Sequence, residues 1–387
     1  MTIEDTKRYY TELDLVRFCS ALLVAFFHLG FSGWAARGSR GYEIYQGLFT
    51  IPETQYLGFF GWIGVQIFFV ISGLVVTQSA EGRSPADFVK GRIERLYPAA
   101  WVCATLTLVF ALYWGTLSNP VSAYLRSITL FPFGTHVEPQ YWTLGSEIAF
   151  YFLIFLLLLV RKFHWLERLA VALTFLGTAF IAVLLVAEQQ HWPSLYQLAR
   201  LTVGPGRVAP VYYGQFFGLG MLTFLWSRRK IGLTGTLALP VSLAGCCLQI
   251  VDVHNRFSKA PLATADLHPL WWVPVAAFLI AYAVIAASAL GVVRATPRGW
   301  LRQLGLATYP LYLFHLTIGA VIVRVLWSLG IRPVVGFALS IAILVVASIF
   351  IATVVEKPIK AGLRKFFVRV EAGRREPKFL YTPGGQL

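Results

Sequence analysis

Long apolar runs separated by short polar segments dominate the chain. Each run approaches the ~20 residues that an α-helix needs to cross the hydrocarbon core of a bilayer. The pattern therefore predicts an all-α, polytopic membrane protein with about ten transmembrane helices. The predicted spans are residues 13–31, 56–77, 97–115, 141–160, 166–187, 208–226, 231–251, 269–291, 304–327 and 333–355.

Composition supports this class of protein. The 387 residues are 57% hydrophobic and only 13% charged, whereas soluble domains are about 45–50% apolar and about 25% charged. A soluble enzyme, a disordered chain and a disulfide-stapled secreted domain are thereby excluded. We expect a membrane domain over residues 1–356 and a basic cytoplasmic tail over residues 357–387, interfacial or partly disordered.

The net charge of +15 indicates topology rather than nucleic-acid binding. With the N-terminus inside, 23 of the 33 basic residues fall in inner segments, eight in outer segments, and Arg17 and Arg324 lie within spans. Because Lys and Arg accumulate on the cytoplasmic side, both termini are expected to be cytoplasmic. No Cys or His spacing is typical of a metal site, so we expect none.

The first span carries two polar residues in phase. Arg17 and His28 are eleven positions apart, which is almost three helical turns, so they share one face about 16 Å apart along the axis. Asp14, at i,i+3, can hold the guanidinium of Arg17. The alternative is an Arg that reaches the interface near the helix start and an interfacial His.

A second candidate is the RIER sequence before the third span. Arg92 and Arg95, one turn apart, present two guanidinium groups at the inner surface, and such groups suit phosphate oxygens. Lys90 adds a third positive charge. Taken alone, such a cluster also fits a topology signal with contacts to lipid headgroups.

Glu147 in the fourth span is expected at the depth of His28. A carboxylate and a histidine at one depth are the minimum set for general acid–base chemistry. The alternative is a buried Glu that pairs with another cation, such as Arg126 or Arg324.

Three further residues lie inside spans. Ser72 favours a packing or hydrogen-bonding role, and Gly73 permits close approach of a ligand or a neighbouring helix. His315 lies mid-membrane, where lining the same cavity and being a satisfied core histidine are equally compatible with the sequence.

An ordered set of motifs then suggests a family. The set comprises Arg17-x10-His28, FFVISGLVV, RIERLYP, YWTLGSEIAFYF, YPLYLFHL and VVEKP. It resembles the acyltransferase-3 family of integral membrane acyltransferases over residues 9–365. Members often carry two adjacent acids where this chain has Glu147 alone, and the C-terminal SGNH-type hydrolase domain of some members is missing here.

The resemblance implies an O-acyltransferase of the bacterial cytoplasmic membrane. It would move an acyl group, commonly acetyl from cytoplasmic acetyl-CoA, to a hydroxyl of a carbohydrate or glycoconjugate outside, with no tightly bound cofactor and no nucleic-acid partner. The acceptor would be bound by the membrane domain, a partner, or the loops at 32–55 and 252–268. The transfer itself could be direct or pass through an acyl-histidine.

The resemblance matches Arg17 and His28 to the family's essential pair in the first span, Arg92 and Arg95 to its RxxR motif, and Glu147 to its carboxylate in the fourth span. We expect the catalytic residues to be His28, Glu147 and Asp14, the last by orienting Arg17. CoA binding would use Arg17, Arg92, Arg95, Ser72 and Gly73, and the acceptor would contact Trp142 and His315. A transporter or flippase could use the same Arg, His and Glu residues, but the inverted repeats or broken-helix pairs typical of that class are not evident in the sequence.

Overall fold

The described residues of the computed structural model, 11–194, 197, 211–259, 270–294, 296 and 298–373, form helices and no strands. The first seven helices are α1 (Thr11–Phe27), α2 (Gly33–Ala35), α3 (Arg40–Tyr45), α4 (Gln55–Gly58), α5 (Ile63–Ala80), α6 (Pro85–Tyr113) and α7 (Pro120–Thr129). The others are α8 (Trp142–Leu159), α9 (Leu166–Gln189), α10 (Gly214–Ser227), α11 (Leu233–Lys259), α12 (Trp272–Leu290), α13 (Gly299–Ser328), α14 (Pro333–Phe350) and α15 (Glu356–Gly373).

The described part of the chain contains nine helical segments long and apolar enough to span a membrane. The all-α, multi-pass architecture is therefore confirmed. The sixth predicted span, 208–226, is not among these nine, because the helix in its described portion, α10, has only 14 residues and is about 21 Å long. Residues Gly214–Leu225 of α10 are all buried, so this helix lies inside the bundle.

Helix α6 begins twelve residues before the predicted third span. Ser84 caps its N-terminus by accepting a hydrogen bond from the backbone N–H of Asp87, as is typical of a helix start. The RIER sequence therefore lies within α6 and not before the span. Helix α15 packs along this part of α6 through the ion pairs Arg364–Glu94 and Lys90–Glu371, so the cationic charge of Lys90 is balanced.

Helix α1 is held between α5 and α13. A Cβ at Gly64 of α5 would collide with the backbone oxygen of Ser20, and one at Gly305 of α13 would collide with Asp14. Small residues allow this close packing of helices, as is common in membrane proteins. The two faces of α1 that meet these helices are thereby fixed in rotation, which sets where Arg17 and His28 point.

Helix α5 packs against α10 as closely as α1 packs against α5 and α13. A Cβ at Gly73 would collide with the backbone oxygen of Phe217, and one at Gly220 would collide with the backbone oxygen of Val70. Gly73 therefore serves helix packing. This corrects its assignment to CoA binding, since the α10 backbone occupies the space that a ligand would need.

We expect Gly73→Ala to destabilise the fold, because neither backbone can retreat to accommodate the new methyl group. Overpacking of this kind typically costs about 1–3 kcal/mol, which should appear as a lower thermal midpoint of the purified protein in detergent. Gly362→Ala in α15 is the matched control, since no atom lies within 4 Å of a Cβ there. Equal midpoints for Gly73→Ala and wild type would contradict this packing role.

Candidate active site

A cavity of ≈ 280 Å³ opens between α1, α5, α6, α8 and α13. We call it the arginine cavity. Its principal polar lining residues are Arg17, Ser72, Arg92, Arg95, Glu147, Tyr151, Tyr309 and Tyr312. The structure thus brings together three arginines that lie on two helices far apart in sequence.

Each arginine is positioned by a different neighbour. Arg17 Nη1 lies 3.5 Å from Asp14 Oδ1, as the i,i+3 spacing predicts. Arg92 Nη2 donates to Ser79 Oγ at 3.2 Å, and the Arg95 guanidinium lies 5.8 Å from the centre of the Tyr309 ring. Asp14 lines neither this cavity nor the second one described below, so it acts by positioning Arg17 and is not itself catalytic.

The arginine cavity carries an excess of positive charge. Its lining contains three guanidinium groups and one carboxylate, that of Glu147. Within the described residues Arg92 and Arg95 form no ion pair with an acidic side chain, and Arg92 Nε is buried without a hydrogen-bond partner. Such an arrangement favours an anionic ligand with several oxygens, such as a phosphate group.

Glu147 belongs to the arginine cavity and not to His28. Its Oε1 accepts hydrogen bonds from Ser72 Oγ at 2.9 Å and from Tyr151 OH at 2.5 Å. The predicted pairing of Glu147 with His28 is therefore wrong. The level of His28 on α8 is that of Trp142, and Glu147 lies five residues, about 7.5 Å, further along that helix.

A second cavity of ≈ 400 Å³ contains His28. We call it the histidine cavity. Its polar and aromatic lining includes His28, Trp62, Gln66, Gln140, Trp142, Tyr213, Arg256, Phe257 and Tyr312. Trp142, which is predicted to contact the acceptor, lines this cavity together with His28, and it stacks on Tyr213 with ring centres 5.6 Å apart.

A π-helical turn, His28–Ser32, begins at the candidate histidine. Widening a helix by one residue displaces carbonyl groups from their usual donors, and such turns occur frequently at functional sites. Side chains satisfy these carbonyls here: Tyr45 OH donates to Leu29 O, Trp34 Nε1 and Thr54 Oγ1 to Gly30 O, and Ser39 Oγ to Ser32 O. The turn that carries His28 is therefore held from several sides.

His315 contacts His28 directly. His28 Nδ1 lies 2.9 Å from His315 Nε2, and His315 Nδ1 lies 2.9 Å from Tyr312 O and 3.1 Å from Leu311 O. A carbonyl oxygen only accepts, so His315 Nδ1 carries a hydrogen, and its Nε2 accepts from His28 Nδ1 when both rings are neutral. His28 Nε2 is then the nitrogen with a free lone pair.

The role predicted for His315 changes accordingly. Its side chain is fully buried and lines neither cavity, so it does not contact an acceptor. It lies behind His28 and fixes the tautomer of that ring, a task often given to the partner of a catalytic histidine.

The two cavities adjoin. Both are lined by Val65 and Tyr312. The Tyr312 hydroxyl lies 2.9 Å from Thr143 Oγ1, and its ring meets that of Phe68 edge to face at 5.6 Å. Tyr312 therefore forms the boundary between the arginine cavity and the histidine cavity.

Sequence reasoning missed Glu138, which precedes α8. This buried carboxylate accepts from Thr317 N at 2.9 Å and from Thr317 Oγ1 at 3.0 Å, and it thereby ties its loop to α13 two residues beyond His315. Burial raises the pKa of Glu138 to about 7. An acid beside a proline in a short polar segment looks like an ordinary loop residue, so its sequence context carries only a weak signal.

The fold and its two cavities define a multi-pass membrane protein with a cationic site and a histidine site along one helix. A family model described as an acyltransferase domain matches residues 10–356. The chain therefore belongs to the acyltransferase-3 family and is an enzyme that transfers acyl groups.

Two curated proteins illustrate the relationship. Nodulation protein 10 of Rhizobium leguminosarum bv. viciae is 25% identical over 358 residues, covering 84% of this chain and 87% of the relative. The exopolysaccharide production protein ExoZ of Rhizobium meliloti (strain 1021) is 27% identical over 302 residues, covering 72% and 83% respectively. No solved structure matches the chain.

The raised pKa of Glu138 predicts a pH-dependent stability. Between its ordinary value of 4.5 and about 7, the folded protein keeps this proton while the unfolded chain loses it, so the free energy of unfolding falls as pH rises and levels off above about 7. From about pH 5.5 to about pH 8 we expect wild type to lose about 2 kcal/mol relative to Glu138→Gln, which cannot ionise.

Thermal midpoints of the two proteins in detergent at both pH values measure this difference. Glu53→Gln, which replaces an exposed acid, is the control and should follow the pH trend of wild type. Parallel pH trends for wild type and Glu138→Gln would contradict the prediction.

Proposed function

We propose that this enzyme transfers an acyl group, acetyl in the simplest case, from cytoplasmic acyl-CoA to a hydroxyl of a carbohydrate at the outer side of a bacterial cytoplasmic membrane. The observation that carries the proposal is that Arg17 of α1 and His28, at the start of the π-helical turn that continues α1, line two adjoining cavities. Family membership favours this enzymatic function over the transporter alternative.

The arginine cavity would bind the phosphates of CoA. Its excess of guanidinium groups suits a polyanion, and Tyr151, Tyr309 and Tyr312 add aromatic surface. The basic helix α15 packs at the same end of the bundle, against the part of α6 that carries Arg92 and Arg95. Because positive charge marks the cytoplasmic side, this end is the one that cytoplasmic CoA would reach.

The pantetheine arm would extend from the arginine cavity towards His28. Eleven residues of α1 separate Arg17 from His28, about 16 Å along the helix, a span suited to a long flexible arm. The arm has to pass Tyr312 and Val65, which line both cavities. A rotation of the Tyr312 side chain would join the two spaces.

His28 would act as the general base. Its Nε2 takes the proton of an acceptor hydroxyl, the hydroxyl oxygen forms a bond to the thioester carbonyl carbon, and the carbon–sulfur bond breaks. The CoA thiolate then takes the proton from His28, so the products are the O-acylated acceptor and CoA. In the acyl-histidine variant the same nitrogen first attacks the thioester carbonyl carbon, and the carbon–sulfur bond breaks to release CoA thiolate. This would leave an acyl group on His28 when acyl-CoA is supplied without acceptor.

A carbohydrate acceptor is supported by two observations. Trp62 and Trp142 line the histidine cavity, and flat aromatic surfaces with a few polar groups suit small-molecule recognition. One relative is named for exopolysaccharide production. Of the two loops proposed for acceptor binding, residues 260–268 of the second lie outside the described residues.

We expect Arg92→Gln and Arg95→Gln each to weaken CoA binding about tenfold or more, because each removes a charge-assisted contact worth at least about 1.4 kcal/mol. Titration of CoA into purified protein in lipid nanodiscs measures this. Arg168→Gln is the control, since Arg168 is exposed at the start of α9 and lines neither cavity. Unchanged affinity in both cavity variants would show that the arginine cavity is not the CoA site.

We expect His28→Ala to lower acyl transfer by about 10²–10⁴ without weakening CoA binding. Labelled acetyl-CoA supplied to inside-out vesicles, followed by counting label in the glycan fraction, measures transfer. His315→Leu should lower kcat because His28 Nδ1 loses its acceptor, whereas His315→Gln should recover part of that loss because its amide oxygen accepts the same hydrogen bond.

The rescue by His315→Gln separates positioning from a general packing role, which Leu would satisfy better than Gln. A correctly inserted His28→Ala protein that retains full transfer would refute the role of His28. Equal kcat values for the Leu and Gln variants would refute the tautomer role of His315.

A further inference from the structure

The histidine cavity contains buried polar atoms that no protein group satisfies. Within the described residues, Gln66 Oε1, Gln140 Oε1 and Arg256 Nε are buried without a hydrogen-bond partner, and all three residues line this cavity. The amide nitrogens are used elsewhere: Gln66 Nε2 donates to Gln249 Oε1 and Gln140 Nε2 to Tyr312 O. Since an unsatisfied buried polar atom costs about 1–3 kcal/mol, these atoms are suited to a polar ligand.

Arg256 is the charged member of this set. Among the described residues that line the histidine cavity, Arg256 alone has a permanent formal charge. Its nearest carboxylate, Asp252, is 1% exposed and is not part of the cavity wall. The charged group that the described lining presents to a ligand is therefore a guanidinium, with its balancing carboxylate behind the cavity wall.

In the part of the chain that the structure describes, the guanidinium of Arg256 is anchored through one nitrogen, Nη2. Nη2 lies 3.1 Å from Asp252 Oδ2 and donates to Tyr212 OH at 2.5 Å, and Tyr212 OH in turn donates to Asp252 Oδ2 at 2.9 Å. The side chain of Arg256 is still 31% exposed. Asp252 and Tyr212 thus fix the orientation of the group and leave part of it available to a ligand.

Topology alone does not account for this arginine. Arg256 lies near the end of α11, on the side of the membrane where the positive-inside rule disfavours basic residues. A local ligand would explain its position. Because guanidinium binds carboxylate and phosphate oxygens by charge-assisted hydrogen bonds, the ligand group that fits is an anionic oxygen group.

We infer that the acceptor carries an anionic oxygen group, a carboxylate or a phosphate, which Arg256 binds while a neighbouring hydroxyl lies at His28. Rotation of the Gln66 and Gln140 side chains would turn their unsatisfied Oε1 atoms towards further hydroxyls of the same acceptor. This inference rests on the proposed function, since it places the acceptor in the histidine cavity, and it names the class of acceptor as acidic.

The test compares three sugars that differ at one carbon. Methyl β-glucoside, methyl β-glucuronide and methyl β-glucoside 6-phosphate are titrated by saturation-transfer NMR against purified protein in lipid nanodiscs, without CoA. We expect at least one of the two acidic sugars to bind about tenfold more tightly than the neutral one, equivalent to about 1.4 kcal/mol. Whichever acidic sugar binds more tightly identifies carboxylate or phosphate as the group.

Arg256→Gln should abolish this preference, so that the acidic and neutral sugars bind this variant with the same affinity. Arg332→Gln is the matched control, because Arg332 is an exposed outer arginine that lines neither cavity, and it should keep the preference. Arg256→Lys retains the charge without the planar fork and should keep part of it. If these variants fail to fold, the relative affinities of wild type for the three sugars still test whether the acceptor is acidic.

Equal affinity for all three sugars, or an acid preference that survives Arg256→Gln, would overturn the inference. CoA titration and label transfer on the same wild-type preparation keep the two proposals apart. Protein that binds CoA and labels glycan but shows no acid preference refutes only the role of Arg256. Protein that binds no CoA refutes the proposed function.

Discussion

The helical register of α1 is the constraint on which both cavities depend. A guanidinium inside a bilayer is costly on an apolar surface, so it has to face protein or water. Arg17 satisfies this by lining the arginine cavity beside Asp14, and this orientation fixes the rotation of the whole helix. Because eleven residues are close to three turns, the same rotation turns His28 to the interior. One buried charge thus determines where the candidate base points.

The π-helical turn adds a second level of control. An isolated α-helix would leave the last turn of α1 free to fray, since its final carbonyls lack donors. Here Tyr45, Trp34 and Ser39 donate to carbonyls of the turn, so the backbone that carries His28 is fixed by side chains from the loop that follows it. His315 then fixes the ring itself. Backbone and tautomer are therefore set by separate contacts, which is a requirement for a positioned general base.

The parts of the site that follow from local spacing could be predicted from sequence. Arg17 with Asp14, and Arg92 with Arg95, lie within single helices, where 3.6 residues per turn defines which side chains share a face. Contacts between distant helices could not be predicted in this way. The contact of His28 with His315 joins residues 287 positions apart, and helix periodicity contains no information about which helices are neighbours.

Depth was the other quantity that the sequence did not determine. Glu147 was assigned to the level of His28 because both lie near predicted outer ends of spans, but the level of His28 on α8 is that of Trp142. An error in depth of one to two helical turns, about 5–10 Å, is enough to assign Glu147 to the histidine cavity when it lines the arginine cavity. The residues missed altogether, Glu138 and Gln66, carry no periodic signal, and their importance depends on burial, which only the packed helices create.

Under the proposed function, the charged part of the donor would bind in one cavity and the reacting groups would meet in the other. In the proposed function, Arg17, Arg92 and Arg95 would hold a polyanion at one end, while Tyr312, Phe68 and Val65 form a largely apolar boundary. Moving a phosphate past that boundary would cost several kcal/mol of desolvation, whereas an uncharged arm with a thioester at its tip would pass at far lower cost. Under the proposed function, the arginines would retain the charged part of the donor, and the length of the arm, not the diffusion of the whole molecule, would bring the acyl group to His28. A base placed next to the arginines would also be within reach of the charged phosphates. The apolar boundary would keep them away from His28, which gives a physical reason for the distance between Arg17 and His28.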